Sequence, residues 1–188
     1  MLSVKVGQPS RVINRFYRSP LFRSRCISCG KNFYLDAIPH IVGHTRIYIG
    51  DDVKFFGTIG IMSGRTLDNP TLILGNRVSL GERVGFSVNR QITVEDDVSI
   101  GPFCFLADND GHPRDPEGRL KGLPPPPEEI LSIRIGRNVK IGYGSTITKG
   151  ITIGEHSIIQ LKSVVTSDIP PYSIAGGNPA RILSRRTD

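Results

Sequence analysis

From Ile135 onward an aliphatic residue recurs at every sixth position: Ile135, Ile141, Ile147, Ile153, Ile159 and Val165. The same phase appears upstream in Val94, Ile100 and Leu106, in Leu74, Leu80 and Phe86, and in Ile49, Phe55 and Ile61. Glycine follows three of the first set (Gly136, Gly142, Gly154), and the fourth place beyond each is mostly small or aliphatic: Val139, Ser145, Ile151, Ser157, Ser163, Ile169. A period of six is neither that of a helix nor simple alternation. It fits a chain that makes a short extended stretch, turns sharply and repeats. The recurring aliphatic points inward, and the next residue sits where a side chain would crowd the corner. Stacked turns of this kind pair each extended stretch with those above and below and bury a continuous aliphatic column. A β-sandwich is the alternative, but its strands are spaced less regularly and further apart.

The breaks in the period mark loops. Two extra residues fall around Asn89, Arg90 and Gln91, and a third irregularity covers residues 64–70. Between Leu106 and Ile135 lies a long insertion that holds His112 and the proline-rich run 124–129. A regular stack tolerates such excursions on its outside, and function tends to reside there.

Composition agrees with this reading. The 188 residues include 21 Gly and 14 Pro, more than average usage and consistent with frequent turns, while a 38% apolar share is enough for a core. No run of 18 apolar residues predicts a membrane-spanning helix, and the N-terminus lacks the pattern of a secretory signal. Three cysteines (Cys26, Cys29, Cys104) cannot make a disulfide framework, so a soluble, cytoplasmic protein is expected. The net charge of +7 comes from residues 1–35, which carry Lys5, Arg11, Arg15, Arg18, Arg23, Arg25 and Lys31 and no acid; beyond them, bases and acids balance at 17 each. The basic character belongs to an arm, and the body shows no nucleic-acid footprint.

Four segments carry a family resemblance: VEDDVSIGP (94–102), GHPRDP (111–116), IRIGRNVKIGYGSTITKGITIGEHSII (133–159) and SVVTSDIPPYSIAGGNPARIL (163–183). The chain resembles the hexapeptide-repeat acyltransferases, especially the maltose and galactoside O-acetyltransferase branch. The resemblance implies an all-β fold, a left-handed parallel β-helix over residues 41–183. A basic arm (1–40) precedes it, a catalytic loop (107–132) protrudes from it, and a short tail (184–188) follows. It also implies acetyl transfer from acetyl-CoA to a hydroxyl of a saccharide, in surface polysaccharide or glycan synthesis. The active sites would lie between the subunits of a homotrimer.

Site residues follow from the same resemblance. His112 matches the catalytic base of the HPxDP loop. The chemistry needs such a group, because a sugar hydroxyl is a poor nucleophile until something of near-neutral pKa takes its proton. Its second ring nitrogen needs an acceptor, and Asp110, Asp108 or a backbone carbonyl could supply one. The ADNDGHP loop is one residue longer than the maltose-type loop. Asn89 aligns with an asparagine that contacts the acceptor, though a turn asparagine fits equally. Gly142 and Tyr143 match the start of the coil whose N–H groups meet the thioester oxygen. Coenzyme A binding maps to Tyr143, Leu161, Thr166, Ser167 and Arg181, with Lys162 either a phosphate partner or an exposed coil residue.

Other readings fit less well. A γ-type carbonic anhydrase needs three metal-binding histidines, and no metal site is expected here. Cys26 and Cys29 have zinc-finger spacing without a second pair. A nucleotidyltransferase needs a large preceding domain. A scaffold without activity has no use for GHPRDP or GGNPAR, whereas N-acetylation of an amino sugar could use the same base and donor. The arm segment 9–25 is expected to start with a short helix capped by Ser10 and ended by Pro20. It could dock on the β-helix or a neighbouring subunit, or touch an anionic membrane surface.

Overall fold

The computed structural model describes residues 18–185. The chain winds through repeated sets of three short strands. β1 (Ser28–Cys29), β2 (Tyr34–Leu35) and β3 (His40–Val42) form the first coil. The second is β4 (Arg46–Ile49), β5 (Lys54–Phe55) and β6 (Gly60–Met62); the third is β7 (Thr71–Leu74), β8 (Ser79–Leu80) and β9 (Gly85–Ser87). The fourth is β10 (Gln91–Val94), β11 (Ser99–Ile100) and β12 (Phe105–Ala107); the fifth is β13 (Ile133–Ile135), β14 (Lys140–Ile141) and β15 (Thr146–Ile147). β16 (Thr152–Ile153), β17 (Ile158–Ile159) and β18 (Val164–Val165) complete the sixth, before β19 (Ser173–Gly177) and β20 (Ala180–Arg185).

Up to β18 every third strand joins the same sheet, and β19 and β20 extend the second, giving a three-sided prism with sheets of six, eight and six strands. All pairings are parallel except β19 with β20. Between the fifth and sixth coils the register is regular: Arg134 faces Thr152, Lys140 faces Ile158 and Thr146 faces Val164.

The sixfold aliphatics all point into the prism. Ile135, Ile141, Ile147, Ile153, Ile159 and Val165 are buried, as are the three upstream sets. The fourth-place residues turn inward at the corners. Ser145, Ser157 and Ser163 are wholly buried, and their hydroxyls donate to the carbonyls of Gln160, Pro170 and Gln160 respectively, so none of the three is stranded. The corner glycine has a steric cause: a Cβ on Gly142 would lie 2.5 Å from the backbone nitrogen of Leu161 in the next coil. His156 is a corner residue with positive φ, stacked 4.8 Å from the Tyr172 ring.

Three sequence expectations change. The stack starts at β1 rather than at residue 41, because Phe33, Leu35 and Phe55 already share the core. Pro20 does not end the arm's helix. It lies in the first turn of α1 (Ser19–Arg23), where a missing N–H costs nothing. Ser10 and the rest of the expected helix before residue 18 fall outside the described residues. At the C-terminus β20 continues to Arg185, into the expected tail.

The described part of the arm docks on the first coil. Phe22, 1% exposed, packs on Phe33 and Phe55 at ring distances of 5.5 and 5.7 Å. Arg23 donates to the carbonyls of Cys29 and Gly30, and Arg18 donates to that of Asp36. All three cysteines are free thiols, and burial pushes Cys26 up to about 12. Among the described residues, no helix is long and apolar enough to cross a membrane.

Candidate active site

The prism has three long edges. At the edge between the third and first sheets, the chain leaves β12 after Ala107 and returns at β13. The departing residues are anchored one by one. Asp108 is wholly buried and accepts the backbone N–H groups of Asn89 and Arg90, each at 2.7 Å. The Asn109 side chain donates to Ser87 Oγ at 3.0 Å and accepts from the Gly111 N–H at 2.9 Å. Asp110 pairs with Lys149 at 2.5 Å.

His112 follows, exposed to solvent, with Nδ1 3.3 Å from the Pro113 carbonyl oxygen. A carbonyl can only accept, so a hydrogen bond at this contact is donated by Nδ1–H, while Nε2 has no partner among the described residues. Of the three partners the sequence left open, the backbone carbonyl is the one found; Asp108 and Asp110 are engaged elsewhere. Beyond it, Asp115 caps α2 (Pro116–Leu120) by accepting the Gly118 N–H at 2.6 Å, with Pro116 in the first turn. The Asp–Pro pair of GHPRDP thus has a structural use of its own.

Asn89 is only 4% exposed. Its side-chain oxygen accepts the Gly64 N–H at 2.6 Å, which joins the corner to the 64–70 irregularity.

Gly142, Tyr143, Leu161 and Lys162 stack on the edge between the second and third sheets. The Lys162 N–H donates to the Tyr143 carbonyl at 2.7 Å. The expected pair of thioester donors reduces to one: the Gly142 N–H is taken by the Ile159 carbonyl at 2.8 Å, whereas the Tyr143 N–H meets no acceptor among the described residues. Tyr143 and Leu161 are exposed, and the Tyr143 ring lies 5.4 Å from that of Phe103.

Thr166 and Ser167 lie exposed on the other edge, in the coil above Lys149. Arg181, also exposed, sits on β20 opposite Gly176. The expected residues therefore divide between two edges. His112, Asn89, Asp110, Thr166 and Ser167 share one; Gly142, Tyr143, Leu161 and Lys162 share the other. A face of the prism separates them, roughly 15–20 Å of extended chain at ~3.3 Å per residue. The strands of that face place no Lys, Arg, Asp or Glu on it; Phe105, Thr146 and Val164 alternate outward there.

An opening of about 550 Å³ lies at the root of the loop, bounded by Arg90, Glu128, Ile130, Leu131, Ser132 and Gly150. A groove of about 460 Å³ on the first sheet contains none of the expected site residues. Among the described residues, no group of three or more His, Cys, Asp or Glu side chains could hold a metal ion. Sequence reasoning missed Asn109 and Lys149. Asn109 carried the weak signal of a short polar residue in a turn; Lys149, one exposed-looking cation in a regular coil, carried none.

The fold and these edges define a member of the hexapeptide-repeat acetyltransferases, coenzyme A-dependent enzymes built on a left-handed parallel β-helix, and the chain belongs to that family. An acetyltransferase-family protein of Saccharomyces cerevisiae is 30% identical over 171 residues, covering 91% of this chain and 72% of its own length. Galactoside O-acetyltransferase of Escherichia coli is 37% identical over 123 residues, covering 61% of this chain. The chain spans 57% of that relative's length. A solved structure of galactoside acetyltransferase in complex with coenzyme A superposes with a TM-score of 0.65 at 26% identity, over 94% of this chain and 72% of the other. No family model matches the chain.

Proposed function

We propose that the protein transfers the acetyl group of acetyl-CoA to a hydroxyl of a saccharide, with His112 as general base. The observation that carries this reading is the placement of His112: Nδ1 lies 3.3 Å from the Pro113 carbonyl oxygen, and Nε2, on an exposed loop, meets no partner among the described residues. Nε2 takes the acceptor's hydroxyl proton as the oxygen attacks the thioester carbonyl carbon. The Tyr143 N–H donates to the oxygen that becomes negative in the tetrahedral intermediate. Collapse expels the coenzyme A thiolate, which takes the proton back from the imidazolium. No acyl-enzyme is formed.

His112 and Tyr143 stand on different edges, so one prism does not close this site alone. The uncharged third face and the exposed aromatics Phe103 and Tyr143 beside it favour a homotrimer, in which the His112 of one subunit faces the thioester edge of the next. Leu161 would line the pantetheine arm, and Lys162 and Arg181 would meet phosphates. Galactoside and maltose relatives favour a sugar acceptor, in glycan or surface-polysaccharide synthesis. Three free thiols suit the cytoplasm as the setting. The proposal extends to a peripheral contact of Lys5, Arg11 and Arg15 with acidic lipid, tested by vesicle sedimentation of the full chain against one lacking residues 1–17.

The experiment is a thiol-release screen with acetyl-CoA against sugars, nucleotide sugars and amino sugars. Release with a saccharide and an alkali-labile product supports the reading. An alkali-stable amide would move it to an amino sugar, and no release with any acceptor would overturn it.

A further inference from the structure

We propose that Lys149 is a positioning residue for His112, acting through Asp110; this rests on the general-base reading above. The Lys149 side chain is 9% exposed, and its ammonium lies 2.5 Å from the Asp110 carboxylate, which is 40% exposed. Lysine ordinarily keeps its ammonium in water while its stem covers apolar surface, and withdrawing the charge is unfavourable unless an anion meets it. The β-helix itself has no need of a cation at this corner. What the corner does hold is the loop. Asp110 on the departing limb meets Lys149, and on the returning limb Leu131 donates to the Asp108 carbonyl and accepts the Gly150 N–H, both at 2.9 Å.

Three successive residues are thereby tied to different places. Asp108 and Asn109 are held by the coil below, through Asn89, Arg90 and Ser87; Asp110 is held by the coil above. The next residue is Gly111, with φ +80° and open space where a Cβ would be. That glycine is a swivel, and His112 is directly beyond it. On its far side the loop is fixed by the buried Pro113, which packs on Gly118. Without the Lys149–Asp110 pair the swivel is restrained from one side only, and the imidazole loses its fixed direction.

The test uses the full chain with acetyl-CoA and the acceptor giving fastest thiol release in the screen above. Lys149→Met and Asp110→Asn are expected to lower kcat about 10–100-fold, the scale of a small misplacement of a reacting group. KM for acetyl-CoA should stay within about twofold, since the thioester edge of Gly142, Tyr143, Leu161 and Lys162 is untouched. The double variant should be no worse than either single one, and Lys149→Arg should restore most of the activity. Neither substitution should cost anything further in a His112→Ala background. Independently of turnover, histidine two-bond nitrogen–proton NMR should show one Nδ1-protonated tautomer for His112 in the parent and an averaged pattern in Lys149→Met. Parent-like kcat and tautomer in both single variants, with His112→Ala inactive, would overturn the clamp and leave the base reading intact. Parent-like turnover in His112→Ala would overturn the base reading, and the NMR comparison would still decide the clamp. Should Lys149→Met fail to fold, Asp110→Asn, altered on the exposed side of the pair, carries the same comparison.

Discussion

Oδ1 of Asp108 lies 2.7 Å from the backbone nitrogen of Asn89, so the first residue of the loop is fastened to the corner of the coil beneath it. Oδ2 takes the next N–H, that of Arg90, at the same distance. A hydrogen bond to a buried charged acceptor contributes about 1.5–3 kcal/mol, and a buried donor left alone is unfavourable by a similar amount. Asp108→Ala should therefore lower unfolding stability by at least about 2 kcal/mol and loosen the loop. Urea denaturation, with protease cleavage within residues 107–132 as the second readout, checks both.

Removing the imidazole should behave in the opposite way. His112 is exposed and its one hydrogen-bond contact is the long one to Pro113. His112→Ala should leave the melting temperature and oligomeric state unchanged while kcat/KM falls roughly 10²–10⁴-fold, the range for loss of a general base. Thiol-release kinetics beside a thermal melt makes the comparison.

Gly142 couples fold and donor site. An added methyl would sit 2.5 Å from the Leu161 nitrogen and 2.8 Å from the Gln160 carbonyl carbon, backbone atoms that cannot swing aside. Gly142→Ala should destabilise by about 1–3 kcal/mol through overpacking. It should also raise KM for acetyl-CoA, because Leu161 must shift. Gly111→Ala meets nothing within 4 Å and bears only the strain of φ +80°, so its effect on stability should be smaller. Parallel denaturation of the two variants would show the difference.

Acid should weaken one corner of the prism first. The Asn76 backbone N–H holds the Asp96 carboxyl below its usual pKa, and the Arg77 guanidinium does the same for Asp97 at 2.6 Å. Groups with depressed folded pKa values add stability above their ordinary value, near 4, and lose it as the pH falls through the folded value. Stability should thus drop below about pH 4, and Asp97→Asn should flatten that slope. Equilibrium unfolding between pH 2 and 6 in both proteins is the measurement.

The core was legible because its code is local. Each of Ile135, Ile141 and Ile147 sits one sheet further round than the last, and no knowledge of the partner strand is needed to see that all point inward. The loop holding His112 was equally plain as a gap in the period. What could not be read were contacts between coils. The Asn89–Gly64 bond joins residues 25 apart and depends on the length of the 64–70 irregularity, and the Asp110–Lys149 pair spans the whole insertion. The Gly142 N–H was assigned to substrate because its acceptor, Ile159, is identified only once the register above is known. The first coil was missed for another reason: Cys29, Leu35 and Ile41 keep the sixfold spacing opposite Ile49, Phe55 and Ile61, but a cysteine stands where the pattern has an aliphatic residue.

Phe22, seated over Phe33 and Phe55, has an effect that reaches beyond one molecule. A column of parallel rungs has no natural length, and a bare terminal rung is a template on which another copy could continue. An aromatic plug covers the core at one extremity, and at the other the reversed strand β20 covers the edge of β19 in the second sheet. Both features work against continuation of the column by another copy, and shaving away the plug would invite end-to-end fibre growth.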